Sequence, residues 1–239
     1  MGVLVFVRHG QASFHEEDYD KLSAVGEEQA RHLGEYWVRQ GMTFDRVFTG
    51  PLARQRRSAE IVCEAYAAAG VEFPVIEEIG ALAEMPVERL AKRFMPQLCS
   101  EDEQALQSMQ QFMATDDKRE KEKLFQKAFE KLMRKWAEET YYDPEIETFR
   151  GFTERVVKGI GSMTAGRSNG QRVAAFTSGG PTAVAIHMAL QTSFQTTLEL
   201  VWQVRNASLT EFMFTEGRFT LSTFNSVAHL PDPSLWTYR

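Results

Sequence analysis

The chain has 239 residues, a formal net charge of −6 and two cysteines, Cys63 and Cys99. That length suits one α/β domain with room for an insertion, and a core of this size needs no disulfide staple. The acidic balance excludes a general nucleic-acid binder, no apolar run is long enough to span a bilayer, and the cysteines lack metal-type spacing.

Residues 3–7 are continuously apolar (VLVFV) and run straight into Arg8, His9 and Gly10. An unbroken apolar run predicts a strand buried on both faces. No basic, apolar leader precedes it, so a cytoplasmic protein with reduced thiols is expected. Ser23 then caps a predicted helix with Ala30, Leu33 and Trp37 as its apolar stripe and Gly41 at its end. A short second strand, RVFT, starts at Arg46. Pro51 is placed at a first helical position, and that helix runs to about Gly70. FPVIE, from Phe73, reads as a third strand.

From residue 85 to 148 the strand–helix rhythm breaks. This stretch mixes charges of both signs, with Phe125, Phe129, Leu132 and Trp136 on one helical stripe, Leu124 and Ala128 beside it, and a weaker stripe of Leu106, Met109 and Met113. It is read as a helical insertion, a candidate cap, within a single domain spanning 1–239. Beyond it, RVAAFT from Arg172 is a strand, Gly179-Gly180 a turn, and Pro181 the start of a helix. ASLTEFMF and RFTLSTF alternate around Glu216-Gly217, which signals a hairpin. The predicted fold is α/β: a three-layer α/β/α sandwich whose mostly parallel sheet gains antiparallel edge strands from the hairpin, with the helical insertion over the strand ends.

In an open parallel sheet, ligands bind beyond the carboxyl ends of the strands. Arg8 and His9 follow the first strand, Arg54 the second, Glu84 the third, and Ser178, Gly179 and Gly180 the fourth. Arginine forks match phosphate oxygens, and a helix start offers N–H groups to an anion. A neutral imidazole is a nucleophile near pH 7, and a carboxylic acid can protonate a leaving oxygen. The set suits phosphoryl transfer through a phosphohistidine. A serine-hydrolase reading of Ser178 fails because Phe176 stands where the first glycine of G-x-S-x-G belongs.

VRHGQAS, LSAVGEEQA, FTGPLARQRRSAE, FTSGG and FNSVAHL, in that order, resemble the histidine phosphatase superfamily, which includes the phosphoglycerate mutase-like enzymes. The resemblance covers nearly the whole chain except the insert. It implies His9 as phosphorylated nucleophile, Arg8 and Arg54 as phosphate clamps, Glu84 as proton donor, and Asn206 and His229 as mainly structural. The glycine and second glutamate that often follow the family's donor are missing after Glu84. The family also usually has a second histidine before Gly-Gly, where this chain has Ser178. Losing one such donor typically costs about 10²–10³ in rate.

The expected activity is hydrolysis of a phosphate monoester, with Ser178 and Gly179 completing the phosphate site. The alternatives are a phosphomutase and a catalytically weak phospho-ligand binding protein. The expected partner is a small-molecule phosphate ester or other phosphorylated substrate, with no nucleic acid, membrane, metal or cofactor. Around the site, Arg56 and Arg57 read as a solvated rim, Glu78 and Glu88 as rivals of Glu84, His187 as a packed or surface histidine, and His15 as part of a solvated acidic loop. For the insert, a lid, a homodimer surface and plain decoration all stay open.

Overall fold

A computed structural model describes residues 1–13, 20–166 and 170–238. The chain divides into two compact units, Met1–Glu84 with Arg155–Arg239, and Met85–Glu154.

The first unit holds a six-stranded sheet in the order β3-β2-β4-β1-β5-β6. Its strands are β1 (Gly2–Arg8), β2 (Arg46–Thr49), β3 (Ile76–Glu78), β4 (Arg172–Thr177), β5 (Leu209–Thr215) and β6 (Arg218–Ser226). The first four are mutually parallel, and the hairpin β5–β6 adds to β1 antiparallel. The hairpin turns at Gly217, whose φ of +73° suits glycine. Two helices, α1 (Ala24–Arg39) and α2 (Ala53–Ala68), cover one face. There Val5, Val7, Val47, Ala174 and Phe176 of the sheet pack with Leu33, Trp37, Val62 and Tyr66. On the other face Phe6 and Phe212 meet edge-on at 5.8 Å. The sandwich is the expected one, mostly parallel with its antiparallel strands from the hairpin.

Ser23 caps α1 as predicted, its Oγ accepting from Gly26 N at 3.1 Å. Two boundaries differ from expectation. Pro51 lies before the cap of α2 rather than inside the helix, which starts at Ala53 with Leu52 at the cap. The side chain of Gln55 sets that start by accepting from Leu52 N at 3.2 Å. The third strand begins at Ile76, not Phe73. Pro74 has no N–H for the ladder, and Phe73 instead packs its ring on Tyr66 at 4.7 Å.

The second unit contains α3 (Val87–Glu101), α4 (Glu103–Ala114) and α5 (Lys118–Ala137). Helix α5 buries Leu124, Ala128, Phe129, Leu132, Met133 and Trp136, with Phe125 stacked on Phe129 at 5.4 Å. The weaker stripe does not form a core: α4 buries Ala105, while Leu106 and Met113 are 39% and 78% exposed. The chain returns to the first unit within α6 (Phe149–Thr164). After β4 come α7 (Gly179–Leu190) and α8 (Phe194–Gln203). Among the described residues no helix is long and apolar enough to cross a membrane.

His229 follows β6 in a segment whose Val227, Leu230 and Leu235 pack together with Val25. It is 3% exposed, and neither ring nitrogen has a protein hydrogen-bond partner. Burial, with His32 adding to it, pushes its pKa down from 6.5 to about 4. The unfolded chain therefore binds the proton first. Stability falls as pH drops below about 6.5 and the loss levels off below about 4, reaching roughly 3 kcal/mol. His229→Leu removes this term, so its denaturation midpoint should fall less than the wild type's between pH 7 and 4.5. Parallel falls for the two proteins would mean that His229 is hydrated or protonated in the fold.

Candidate active site

Strands β1 and β4 lie side by side with Arg8 opposite Thr177. His9 and Ser178 therefore leave the sheet at the same end, and His9 N donates to Thr177 O at 2.8 Å. The turn after β1 is pressed against α1. A Cβ added to Gly10 would sit 2.2 Å from Gly26 O, and one added to Gly26 would sit 2.1 Å from Gln11 O. This close approach is why the two motifs R-H-G and L-S-A-V-G each carry a glycine. Gln29 locks the turn: its Oε1 accepts from Gln11 N at 2.8 Å, and its Nε2 donates to Leu235 O and Thr237 Oγ1. Thr237 Oγ1 in turn donates to Asn206 Oδ1, and Ala207 N donates to His9 O at 3.1 Å. Asn206 is thus a scaffold residue, as the resemblance implied.

His9 is 5% exposed. Nδ1 lies 2.7 Å from Gly10 O, which can only accept, so Nδ1 carries the proton. Nε2 is then the lone-pair nitrogen, and it accepts from Arg54 Nε at 3.1 Å. Burial first, then the Arg54 and Arg8 charges, hold the imidazole well below its usual pKa, against a smaller opposing effect of the Gly10 carbonyl. The ring is neutral at pH 7, with its lone-pair nitrogen against a guanidinium.

Helix α2 supplies Arg54 to the ring, and Ser58 and Gln55 to the segments beside it. Arg54 Nη1 donates to Asp20 Oδ1 at 2.7 Å, and Asp20 Oδ2 accepts from Ala53 N at 2.7 Å. Ser58 Oγ accepts from Gly10 N at 3.1 Å. Gln55 Nε2 donates to Ser178 Oγ at 2.8 Å and to Leu82 O at 3.0 Å. Arg8 is tied by Nη1 to Val204 O. A Cβ on Gly179 would crowd Val201 O at 3.2 Å and would meet the Arg8 Cζ at an ordinary 4.0 Å.

Ser178 is fully buried and occupies the N-cap of α7. The helix starts at Gly179, so Gly179-Gly180 is its first turn, not a loop before it. Pro181 fits there because first-turn N–H groups have no helical partner to lose. Gly180 N instead donates to the Glu84 carboxylate, 3.2 and 3.3 Å from its two oxygens. The segment that presents Glu84 is held from several sides. Thr177 Oγ1 donates to Leu82 O, and Arg155 Nη1 donates to the carbonyls of Gly80, Ala81 and Ala83.

The structure thus places Arg8, His9, Ser178 and Gly179 at the ends of β1 and β4, with Arg54 bonded to His9 and Glu84 bonded to Gly180 N. Glu78 pairs with Arg56 at the surface, Arg57 binds Glu27 and Glu64, and Glu88 is exposed on α3. His187 Nδ1 bonds Thr192 O near its own helix end. Cys63 and Cys99 are free thiols. His15 lies outside the described residues. Sequence reasoning missed Asp20, Gln55, Ser58 and Arg155. Gln55 carried a signal, because a glutamine at the third helical position reaches back to the cap.

The model of the histidine phosphatase superfamily (branch 1) matches residues 4–126 and 111–227. The chain belongs to that superfamily. A curated relative, the uncharacterized phosphatase PhoE of Bacillus subtilis (strain 168), is 33% identical over 107 residues, which are 39% of this chain and 52% of PhoE. The chain thus spans about half the length of that relative. Among solved structures, Bacillus stearothermophilus YhfR superposes with a TM-score of 0.66 at 17% identity, covering 96% of this chain and 99% of its own. Phosphoglycerate mutase from Bacillus anthracis str. Sterne gives 0.62 at 18%, covering 95% and 94%. A mutant phosphoserine phosphatase from Entamoeba histolytica, in complex with phosphoserine, gives 0.60 at 17%, covering 96% and 100%. At such identities these structures establish the histidine phosphatase fold and no more.

Proposed function

We propose that this histidine phosphatase superfamily member hydrolyses a small phosphate monoester through a phosphohistidine on His9. The observation that carries the reading is the tautomer: Nδ1–H is fixed on Gly10 O, which leaves the Nε2 lone pair as attacking atom. Superfamily membership and the phosphatase names of relatives support it. Phosphoserine and 3-phosphoglycerate, bound by the Entamoeba enzyme, suggest small phosphorylated acids as first substrates to try.

In the first step Nε2 forms a bond to phosphorus, the bond to the leaving oxygen breaks, and Glu84 in its acid form gives that oxygen a proton. In the second, water attacks phosphorus and loses a proton to Glu84. The N–P bond breaks, its electron pair returns to Nε2, and inorganic phosphate leaves. Arg8, Arg54 and the first N–H groups of α7 spread charge from the equatorial oxygens.

Phosphate release from a panel of alkyl and aryl monoesters across pH tests the reading. Sustained release supports it, and tight phosphate binding with no turnover would leave a binding protein. Transfer between two positions of one sugar acid would make the protein a mutase.

Ser178 gives a separate expectation. Its Oγ accepts from Gln55, which leaves its own O–H as a donor. Ser178→Ala should cost about 1.5–3 kcal/mol of phosphate or vanadate affinity if that donor reaches the anion. It also strands a buried Gln55 N–H and should destabilise the fold by about 1–3 kcal/mol. Wild-type affinity in a destabilised variant would make Ser178 a partner of Gln55 alone.

A further inference from the structure

Asp20 closes the acidic run HEEDYD, yet its carboxylate is no mere solvated charge. One oxygen takes the first N–H of α2, from Ala53, and the other takes Arg54 Nη1, both at 2.7 Å. The Arg54 side chain is 9% exposed and that of Asp20 35%. Two short charge-assisted bonds from one part-buried carboxylate differ from an exposed ion pair, in which both side chains wander. The guanidinium is a rigid planar fork, so anchoring Nη1 fixes the direction of its other N–H groups. The Nε–H then falls on His9 Nε2, 3.1 Å away.

We propose that Asp20 is a positioning residue that anchors one end of the Arg54 guanidinium, so that its Nε–H edge faces the nucleophile and then the incoming phosphoryl group. The proposal rests on the phosphohistidine reading. Nε2 cannot form a bond to phosphorus while its lone pair accepts from Arg54. The Nε–H must pass to a phosphoryl oxygen as the N–P bond forms. With Nη1 held by Asp20, that exchange is a small swing about a fixed end. Without the anchor, the Nη1 end of Arg54 loses a charge-assisted bond, and the Nε–H edge meets the phosphoryl group less often. Asn is a poor substitute, because its amide offers one acceptor oxygen where Asp20 serves two donors.

Asp20→Asn, Asp20→Glu, Arg54→Ala and the double variant Asp20→Asn/Arg54→Ala test this in the full chain. With an aryl phosphate, Asp20→Asn should lower kcat/KM about 10–100-fold. The double variant should be no slower than Arg54→Ala alone, because Asp20 acts through Arg54. Additive losses would overturn the proposal. The second readout needs no turnover: the His9 ring is titrated by NMR. Among the described residues, Arg54 and Arg8 are the charged groups that act on it. If Asp20 were only a nearby negative charge, its loss would lower the His9 pKa further, and Asp20→Glu would leave it unchanged. If Asp20 holds Arg54 in place, both variants release the guanidinium and the His9 pKa rises. A fall or no change in Asp20→Asn overturns the proposal even in an active enzyme. A rise in a protein without phosphatase activity keeps the positioning role and overturns the proposed reaction instead.

Discussion

His9→Ala should abolish turnover, by more than about 10⁴, and with it any acid-labile phosphoprotein, while the protein stays folded. The variant removes the only atom proposed to bond to phosphorus. It spares the fold because His9 serves the scaffold through its backbone, donating to Thr177 O and accepting from Ala207 N, and alanine keeps both. Acid-quench and base-quench trapping of labelled phosphate on the wild type and the variant reads the intermediate directly. Because burial and two arginines hold the ring well below its usual pKa, the wild-type rate should persist at pH values where an ordinary histidine is already protonated. Wild-type turnover by His9→Ala would falsify the covalent mechanism.

Glu84→Gln separates substrates by leaving group. Glutamine still offers an oxygen to Gly180 N, so the local geometry survives while the transferable proton is lost. General acid catalysis contributes about 10²–10⁴, and alkyl phosphates should lose most of it. Aryl phosphates with acidic phenols leave without a proton and should lose far less. Equal losses on both would show that another group, or water, supplies the proton.

The parts legible in the sequence are those written locally. The apolar run ending in Arg8 and His9, the Ser23 cap, the RVAAFT strand and the hairpin at Gly217 each need only neighbours along the chain. The site's supports are not local. Asp20 meets Arg54 from 34 residues away, and Gln55 meets Ser178 from 123. In isolation Asp20 is one more carboxylate in an acidic run, and Gln55 is a polar residue among arginines. The start of α7 was misplaced for a related reason. Gly-Gly-Pro reads as a break until Glu84, distant in sequence, is seen to accept from Gly180 N. In α4 the apolar spacing is helical, but spacing alone does not say whether a partner exists to bury it.

The strand order also has a consequence for how the protein is made. β1 has no sheet neighbour nearby in sequence: it pairs Val3 with Arg172 on one side and with Met213 on the other. At ribosomal rates of about 5–20 residues per second, the nascent VLVFV segment waits roughly 8–34 s before β4 is synthesised. Throughout that interval an apolar strand has both hydrogen-bonding edges open, the condition under which chains pair with one another. His9, the proposed nucleophile, directly follows that same strand. Catalytic competence and the danger of aggregation are therefore settled by one late event, the arrival of β4 and β5. Slowing translation through the helical insert should therefore lower the yield of soluble protein.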